Sequence, residues 1–274
     1  MNTGYPKWRV GRRIATVVLV AVIVYCGMRL MHITENYRQE AAIHSALMAY
    51  KPGAPNPIAP LNPANPLSSA GPLNPTAPLN PVALHPPEAP LSQLAALRMR
   101  NADVAGWLEI PGTEIDYPFV RGSDNSAYLG IDFDKNPAAA GTLFMDFRND
   151  LYFGDFNTLI YGHNMKNRSM FGSLNRFNDA NFFNTHTSAV LRLDDGDYTL
   201  EIFAFLTVTA NNAAVYQPGP PDAAARSSYL AYIAAHARRY RDIGVTPEDR
   251  VVTLSTCAYA FDNARYVLIA RIVK

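Results

Sequence analysis

Cysteine is scarce in this sequence: only Cys26 and Cys257 occur in 274 residues. Cys26 lies inside a long apolar run near the N-terminus, so Cys257 is the only thiol in the rest of the chain. A lone thiol cannot form a disulfide within its own domain, which excludes a fold held together by disulfide bonds. Cys257 is therefore either a small buried apolar residue or a reactive nucleophile.

Charge is also sparse. Only 17% of the residues are charged, and the formal net charge of +1 gives no overall attraction to nucleic acid. The sequence has no zinc-knuckle, P-loop or dinucleotide-binding motif, and one cysteine with one histidine lacks the clustered ligands of a zinc site. We therefore expect no nucleic-acid partner, no metal and no cofactor.

Acidic residues are absent before Glu35, whereas four basic residues precede the apolar segment at residues 14–31. As a helix these 18 residues span about 27 Å, close to the roughly 30 Å hydrocarbon core of a bilayer. The charge pattern favours a cytoplasmic tail at residues 1–13 and an extracellular body. No small-residue cleavage site follows the apolar core, so we expect an uncleaved single-pass anchor in the cell membrane, with a cleaved signal peptide as the alternative.

Two segments separate this anchor from the rest of the chain. Residues 32–50 predict a helical stalk that begins with Thr34 as its N-cap. Residues 51–90 hold 13 of the 21 prolines and three near-repeats of A/G-P-L-N-P, which excludes a folded core and favours extended polyproline conformations. We interpret this linker as a spacer that holds a domain away from the membrane. A ligand for a proline-binding module and a tether of no fixed shape are the alternatives.

Residues 91–274 have the pattern of a globular domain that begins with a short helix capped by Ser92. Apolar, β-prone runs bounded by turns predict strands at 106–110, 115–120, 142–145, 158–161, 189–193, 198–209, 250–256 and 265–273. An Asp195-Gly196 turn signal predicts a hairpin. Helical patterns occur at 169–177 and at 222–241, where Gly244 is the expected stop. Eight short strands indicate a mainly β (α+β) barrel or sandwich with helical insertions.

Cys257 ends one of these predicted strands, in the run Thr253–Cys257 (TLSTC). The period of two in a strand places Ser255 and Cys257 on the same, more polar face. Arg265 begins the next strand after seven residues, so a hairpin-like return brings it beside Cys257. A guanidinium there is able to donate hydrogen bonds to a substrate carbonyl.

His163 is the candidate base, because it follows a predicted strand and a glycine in the segment Tyr161–Met165 (YGHNM). A free thiol has a pKa of about 8.5, and a nearby imidazolium or guanidinium increases the thiolate fraction. The other five histidines lack neighbours that indicate chemistry, and we interpret them as surface or structural groups. They are His32, His44, His85, His186 and His236.

The chain from Asn101 to Lys274 resembles class B sortases, a family of cysteine transpeptidases. The segments that carry the resemblance are GWLEI at 106–110, IDYP at 115–118, DNSAYL at 124–129, YGHNM at 161–165, MFGSL at 170–174, and TLSTC at 253–257 with Arg265 eight residues later. Ala258 departs from the pattern, since relatives often carry a polar or acidic residue after the nucleophile. The resemblance implies an eight-stranded sortase β-barrel.

The resemblance also implies an activity. Cys257 would attack a backbone carbonyl in the C-terminal sorting signal of a secreted protein, His163 would transfer protons, and Arg265 would stabilise the oxyanion. Ser255 is a candidate substrate contact. The acceptor would be an amine of a cell-wall precursor or of a pilin, and the family favours a Gram-positive cell.

Two alternatives belong to other functional classes. An L,D-transpeptidase also places a histidine before a cysteine and an arginine, but its S-x-G-C-x-R signature is absent. A catalytically idle wall-binding module carried on a proline-rich spacer is the second alternative.

Overall fold

The computed structural model describes residues 7–53, 92–258 and 260–274. Its helices are α1 (Lys7–Met48), α2 (Gln93–Arg100), a 3₁₀ helix (Gly172–Asn178), α3 (Ala180–Thr185) and α4 (Ala223–His236). Its strands are β1 (Val104–Glu109), β2 (Asp116–Val120), β3 (Leu143–Met145), β4 (Asn157–Tyr161), β5 (Ser188–Leu193), β6 (Gly196–Thr209), β7 (Arg239–Tyr240), β8 (Val251–Cys257) and β9 (Ala264–Val273).

Eight strands form a closed barrel. Their order is β5-β1-β2-β3-β4-β8-β9-β6, and β6 pairs back to β5 to complete the ring. The short β7 pairs with the middle of β6 outside this ring. The β2–β3 and β4–β8 pairs are parallel, and the other neighbours in the ring are antiparallel. The predicted mainly β barrel is confirmed.

Each of the eight predicted strands is present, with ends shifted by at most a few residues. The hairpin prediction is also confirmed, since Leu193 pairs with Gly196 across a two-residue turn. Leu108, Phe119, Leu254 and other apolar side chains of the strands fill the barrel interior. This burial explains why apolar, β-prone runs located the strands correctly.

The helical predictions are only partly confirmed. Ser92 caps α2 as expected, because its Oγ accepts a hydrogen bond from Ala95 N. The segment 169–177 contains a 3₁₀ helix rather than an α-helix. The prediction that the last helix runs to residue 241 is wrong: α4 ends at His236, and Arg239–Tyr240 pair with β6 instead.

The first helix is continuous from Lys7 to Met48. The helical conformation predicted for residues 32–50 is therefore present up to Met48. The N-cap predicted at Thr34 is wrong, since Thr34 lies inside the helix and its Oγ1 donates to Met31 O. An 18-residue window in Ala15–Met48 has a mean hydropathy of 2.0 and no buried residue, which makes the helix long and apolar enough to cross a membrane.

The far end of α1 packs against the barrel. Leu47 is buried in a cluster with Leu94, Leu97, Trp107 and other apolar side chains of the barrel wall. Lys51 Nζ lies 2.8 Å from Glu109 Oε2 and 2.7 Å from Asp116 Oδ2. Because this attachment precedes the proline-rich segment, helix α1 docks on the barrel directly.

The two ends of the proline-rich segment also meet. Gly53 N donates to Gln93 Oε1 over 2.8 Å, so the chain leaves and re-enters the domain at one place. The spacer hypothesis is therefore wrong, since a segment whose ends are adjacent does not set the distance between the helix and the barrel. The polyproline conformation predicted for residues 54–90 lies outside the described residues.

Candidate active site

Strand register brings the three candidate residues to one end of the barrel. In the parallel β4–β8 pair Tyr161 lies opposite Ser255, so His163 and Cys257, each two residues further on, leave the pair at the same level. In the antiparallel β8–β9 pair Cys257 lies directly opposite Arg265. The predicted hairpin-like return is thus present.

A single cleft at this end is bordered by all three side chains. Cys257 is exposed to solvent within it. Ser255 and Thr256, which precede the thiol, also line the cleft. The remaining lining residues are Asn125, Leu129, Phe144, Arg148, Tyr161, Gly162, Ala210 and Tyr216.

The orientation of His163 is set by a backbone carbonyl. Its Nε2 lies 2.7 Å from Leu129 O. A carbonyl oxygen only accepts, so Nε2 carries the hydrogen in this contact and Nδ1 is the ring nitrogen left for other partners. Gly162 is required just before the histidine, because a Cβ there would collide with the side chains of Leu143 and Phe171.

The strand end that carries the thiol is held by two further contacts. Asn164 Nδ2 donates to Cys257 O over 2.7 Å, and Gly162 N donates to Ser255 O over 3.2 Å. Both donors come from the segment that contains His163. The segment that carries His163 is therefore hydrogen-bonded to the end of the strand that carries Cys257, which fixes the imidazole relative to the thiol.

Ser255 is nearly fully buried, and its Oγ lies 2.9 Å from Tyr216 OH. Burial raises the pKa of the Tyr216 hydroxyl, so this group is a neutral hydrogen-bond donor near neutrality.

The guanidinium of Arg265 is held by its own strand. Its Nη1 donates to Ala264 O over 2.9 Å.

Asp146 lies beneath the cleft and has a side chain with no exposed surface. Its carboxylate accepts hydrogen bonds from Arg148 N, Arg148 Nε and Arg148 Nη2, over 3.0, 2.8 and 2.7 Å. Asn125 Nδ2 and Tyr161 OH also donate to it, each over 2.9 Å. One buried anion thus positions three side chains that line the cleft.

These contacts shift the pKa values of the network. Burial opposes ionisation of Asp146, but the hydrogen bonds from Arg148, Asn125 and Tyr161 outweigh it and lower the pKa of Asp146. Burial, followed by the charge of Asp146, raises the pKa of Tyr161. The pair of Asp146 and Arg148 is therefore ionic, and Tyr161 is neutral.

Sequence patterns did not identify Asp146, Arg148 or Tyr216 as parts of the site. The available signal was weak: Asp146 and Arg148 are polar residues directly after β3, where loop residues gather at one edge of a sheet. Tyr216 lies in an irregular segment between β6 and α4, so nothing local indicated its position.

Three of the other described histidines occupy structural positions. His44 Nε2 lies 3.0 Å from Asp116 O, His186 stacks on Phe182, and His236 stacks on Tyr232. Within residues 7–53, 92–258 and 260–274, no three His, Cys, Asp or Glu side chains are grouped as metal ligands.

A family model described as a sortase domain matches residues 108–273 of the chain. The chain belongs to the sortase family. Sortase B of Staphylococcus aureus is 33% identical over 189 residues, which cover 66% of this sortase and 75% of that protein. Sortase B of Listeria monocytogenes is 34% identical over 183 residues, covering 66% and 74%.

Solved structures agree with the sequence relatives. The crystal structure of S. aureus sortase B superposes with a TM-score of 0.63 at 30% identity, covering 67% of this sortase and 87% of that chain. Clostridium perfringens sortase B gives 0.63 at 34% identity, covering 65% and 98%. A structure of the S. aureus enzyme as a sortase B–substrate complex also matches, with 0.63 at 31%, covering 66% and 85%. The class B resemblance is confirmed, and sortases are transpeptidases.

Proposed function

We propose that this sortase is a cysteine transpeptidase that cleaves a C-terminal sorting signal of secreted proteins and joins the new C-terminus to an amine. The observation that carries the proposal is the convergence of Cys257, His163 and Arg265 on one cleft. Family membership alone supplies the reaction class. The convergence of the three side chains supports their individual roles.

In the first half-reaction His163 takes the proton of the Cys257 thiol, and the resulting thiolate Sγ attacks a backbone carbonyl carbon of the signal. The C–S bond forms, the scissile C–N bond breaks, and His163 gives a proton to the departing amine. In the second half-reaction an incoming amine attacks the thioester carbon. The C–S bond breaks and releases the Cys257 thiolate, and His163 accepts the proton released by the amine.

His163 Nδ1 is the nitrogen that exchanges these protons, because Nε2–H is engaged by Leu129 O. Arg265, beside the thiol, stabilises the oxyanion that forms in both half-reactions. Ser255 contacts the bound peptide together with Tyr216, whose hydroxyl oxygen lies 2.9 Å from Ser255 Oγ.

The class favours an N-P-x-T-x type of sorting signal, with a cell-wall precursor or a pilin lysine as the acceptor in a Gram-positive cell. We further propose that residues 14–31 anchor the enzyme in the cell membrane, with residues 1–13 in the cytoplasm and the barrel outside. The four basic residues before the apolar segment support this orientation. Membership of the sortase family argues against the L,D-transpeptidase alternative.

The test compares the two cysteines of the full-length protein in detergent micelles. A blocked Asn-Pro-Gln-Thr-Gly peptide and glycylglycine are supplied, and ligated products are detected by mass spectrometry. Cys257→Ala should abolish ligation, because no nucleophile remains. Cys26→Ala, which removes the other thiol, should retain it.

Thioester trapping on intact wild-type protein adds a direct measurement. A peptide-sized mass increase that is reversed by hydroxylamine should map to Cys257. Ligation by Cys257→Ala would contradict the mechanism. A thiol that reacts neither with peptide nor with an alkylating reagent would favour the idle wall-binding module.

A further inference from the structure

The candidate cleft has an unbalanced charge at its surface. Two guanidinium groups, Arg148 and Arg265, line it together with His163, and no aspartate or glutamate is among its described lining residues. Arg265 has a role in the proposed reaction, beside the thiol. Arg148 has none.

Arg148 is held rigidly, but it is not covered. Its Nε and Nη2 form a bidentate pair with the carboxylate of Asp146, and Nη2 also approaches Tyr216 O at 3.4 Å. The side chain of Arg148 is nonetheless 46% exposed. A cation fixed at one edge and open at the other has the geometry of a binding group rather than of a buried clamp.

The partner of Arg148 is already saturated. Asp146 accepts five hydrogen bonds, three from Arg148 and one each from Asn125 and Tyr161. Among the described residues Arg148 Nη1 has no hydrogen-bond partner. Two N–H donors of a permanently charged group are therefore available on the open side of this guanidinium.

The chemistry that fits such an edge is a carboxylate. A guanidinium is planar and weakly hydrated, and it binds carboxylates through strong charge-assisted hydrogen bonds. The hydrogen bonds to Asp146 also raise the pKa of Arg148, so its charge persists when a ligand arrives.

We propose that the Nη1 edge of Arg148 is a carboxylate-binding subsite of the cleft. It recognises a negative charge on one of the two substrates, the sorting peptide or the amine acceptor. This inference rests on the proposed acyl transfer. The carboxylate belongs either to a side chain of the sorting peptide or to the amine acceptor. A purely structural Arg148, which only stabilises Asp146, is the competing explanation.

The experiment uses isosteric pairs of probes on the full-length protein. The acceptor pair is glycylglycine and glycylglycinamide, offered to one peptide. The peptide pair is blocked Asn-Pro-Glu-Thr-Gly and Asn-Pro-Gln-Thr-Gly, offered to one amine. For each pair, kcat/KM is measured for wild type, Arg148→Gln and Arg148→Lys.

Wild type should prefer the carboxylate member of one pair by about three- to tenfold, the range of one partly exposed charge-assisted hydrogen bond. The pair that shows the preference identifies the substrate that carries the carboxylate. Arg148→Gln should abolish the preference, and Arg148→Lys should keep part of it, because a point charge does not reproduce the planar fork. A merely structural Arg148 would lower both rates of each pair equally.

Arg121→Gln is the matched control. Arg121 donates to the neighbouring Phe147 O, but it is not among the residues that line the cleft, so its loss should leave the preference intact. If Arg148→Gln does not fold, the double variant Asp146→Asn/Arg148→Gln removes both charges and takes its place. No preference in either pair for wild type, or a preference that survives Arg148→Gln, would overturn the subsite.

Binding separates this inference from the proposed function. If wild type ligates no probe, the acyl-transfer proposal fails, and the subsite is then judged by titrating the same pairs into Cys257→Ala. Tighter binding of one carboxylate member, lost in Cys257→Ala/Arg148→Gln, supports the subsite. Equal affinities within both pairs reject it.

Discussion

Asp146 is the residue on which the shape of the cleft depends most. It is completely buried and bonded to Asn125, Arg148 and Tyr161, which all line the cleft. A buried anion is stabilising only while its donors remain in place, because its desolvation is costly. The network therefore fixes these three side chains relative to the barrel wall before substrate binds.

We predict that Asp146→Asn lowers the free energy of unfolding at pH 7 by about 2–3 kcal/mol, since it breaks a buried pair and leaves donors unsatisfied. The pKa of Asp146 is lowered in the folded state, so its stabilisation is present above the unfolded pKa of about 3.9 and is lost as pH falls through the folded pKa. Urea unfolding of the full-length protein in micelles, from pH 7 down to pH 2, measures both effects.

The control for this prediction is Asp194→Asn, which removes an exposed carboxylate paired with Arg98 at the surface. Surface pairs contribute little, so stability should change by less than about 1 kcal/mol. An acid dependence that is identical in wild type and Asp146→Asn would contradict the assigned role.

At the scale of elements, helix α1 is part of the domain as well as a candidate anchor. Its end contributes Leu47 to the cluster under α2, and Lys51 after it pairs with Glu109 and Asp116. Trp107 Nε1 also donates to Asp116 Oδ1 over 2.7 Å, so the same carboxylate links the helix end to β1. This part of α1 therefore adds apolar and charged contacts to the closed barrel.

Leu47→Ala should lower the free energy of unfolding by about 2–3 kcal/mol, because it removes apolar contacts and leaves a cavity. Met99→Ala provides the comparison, since Met99 is an apolar side chain on α2 that is 80% exposed. Its loss should change stability by no more than about 0.5 kcal/mol. Equal unfolding midpoints for the two variants would show that α1 does not support the barrel.

At the scale of the whole molecule, helix α1 passes beside the loop that follows His163. Glu40 of α1 lies 3.4 Å from Asn167, in the loop that follows His163. If residues 14–31 span the bilayer, as we propose, this contact is only nine residues beyond the span, or about 14 Å along the helix. A substrate that remains attached to the membrane would then reach the cleft.

The proline-rich segment should be dispensable for the fold, because its ends are already held together. Deleting residues 58–87 shortens the loop about fourfold. The smaller entropic cost of closing the loop should stabilise the protein by about 1 kcal/mol. Chemical unfolding and the ligation rate of the full-length deletion variant test this. A loss of more than about 1 kcal/mol would show that the segment contributes contacts of its own.

The sequence by itself determined the local conformations and the identity of the reactive groups. Apolar, β-prone runs bounded by turns located all eight barrel strands, and the scarcity of cysteine isolated Cys257. The strand prediction uses only the local sequence, and the identification of Cys257 uses only the composition, so neither needed tertiary information. Arg265 was also predictable, because a short connection between two strands places their facing ends together.

Only the tertiary structure decided which distant segments meet. The β4–β8 register sets His163 level with Cys257. Barrel closure brings Arg148 and Tyr216 to the same cleft and Asp146 beneath it. It also showed that the proline-rich segment begins and ends at one place, which reversed the interpretation as a spacer. A local sequence pattern predicts which face of a strand or helix is buried, but it does not identify the element that packs against that face.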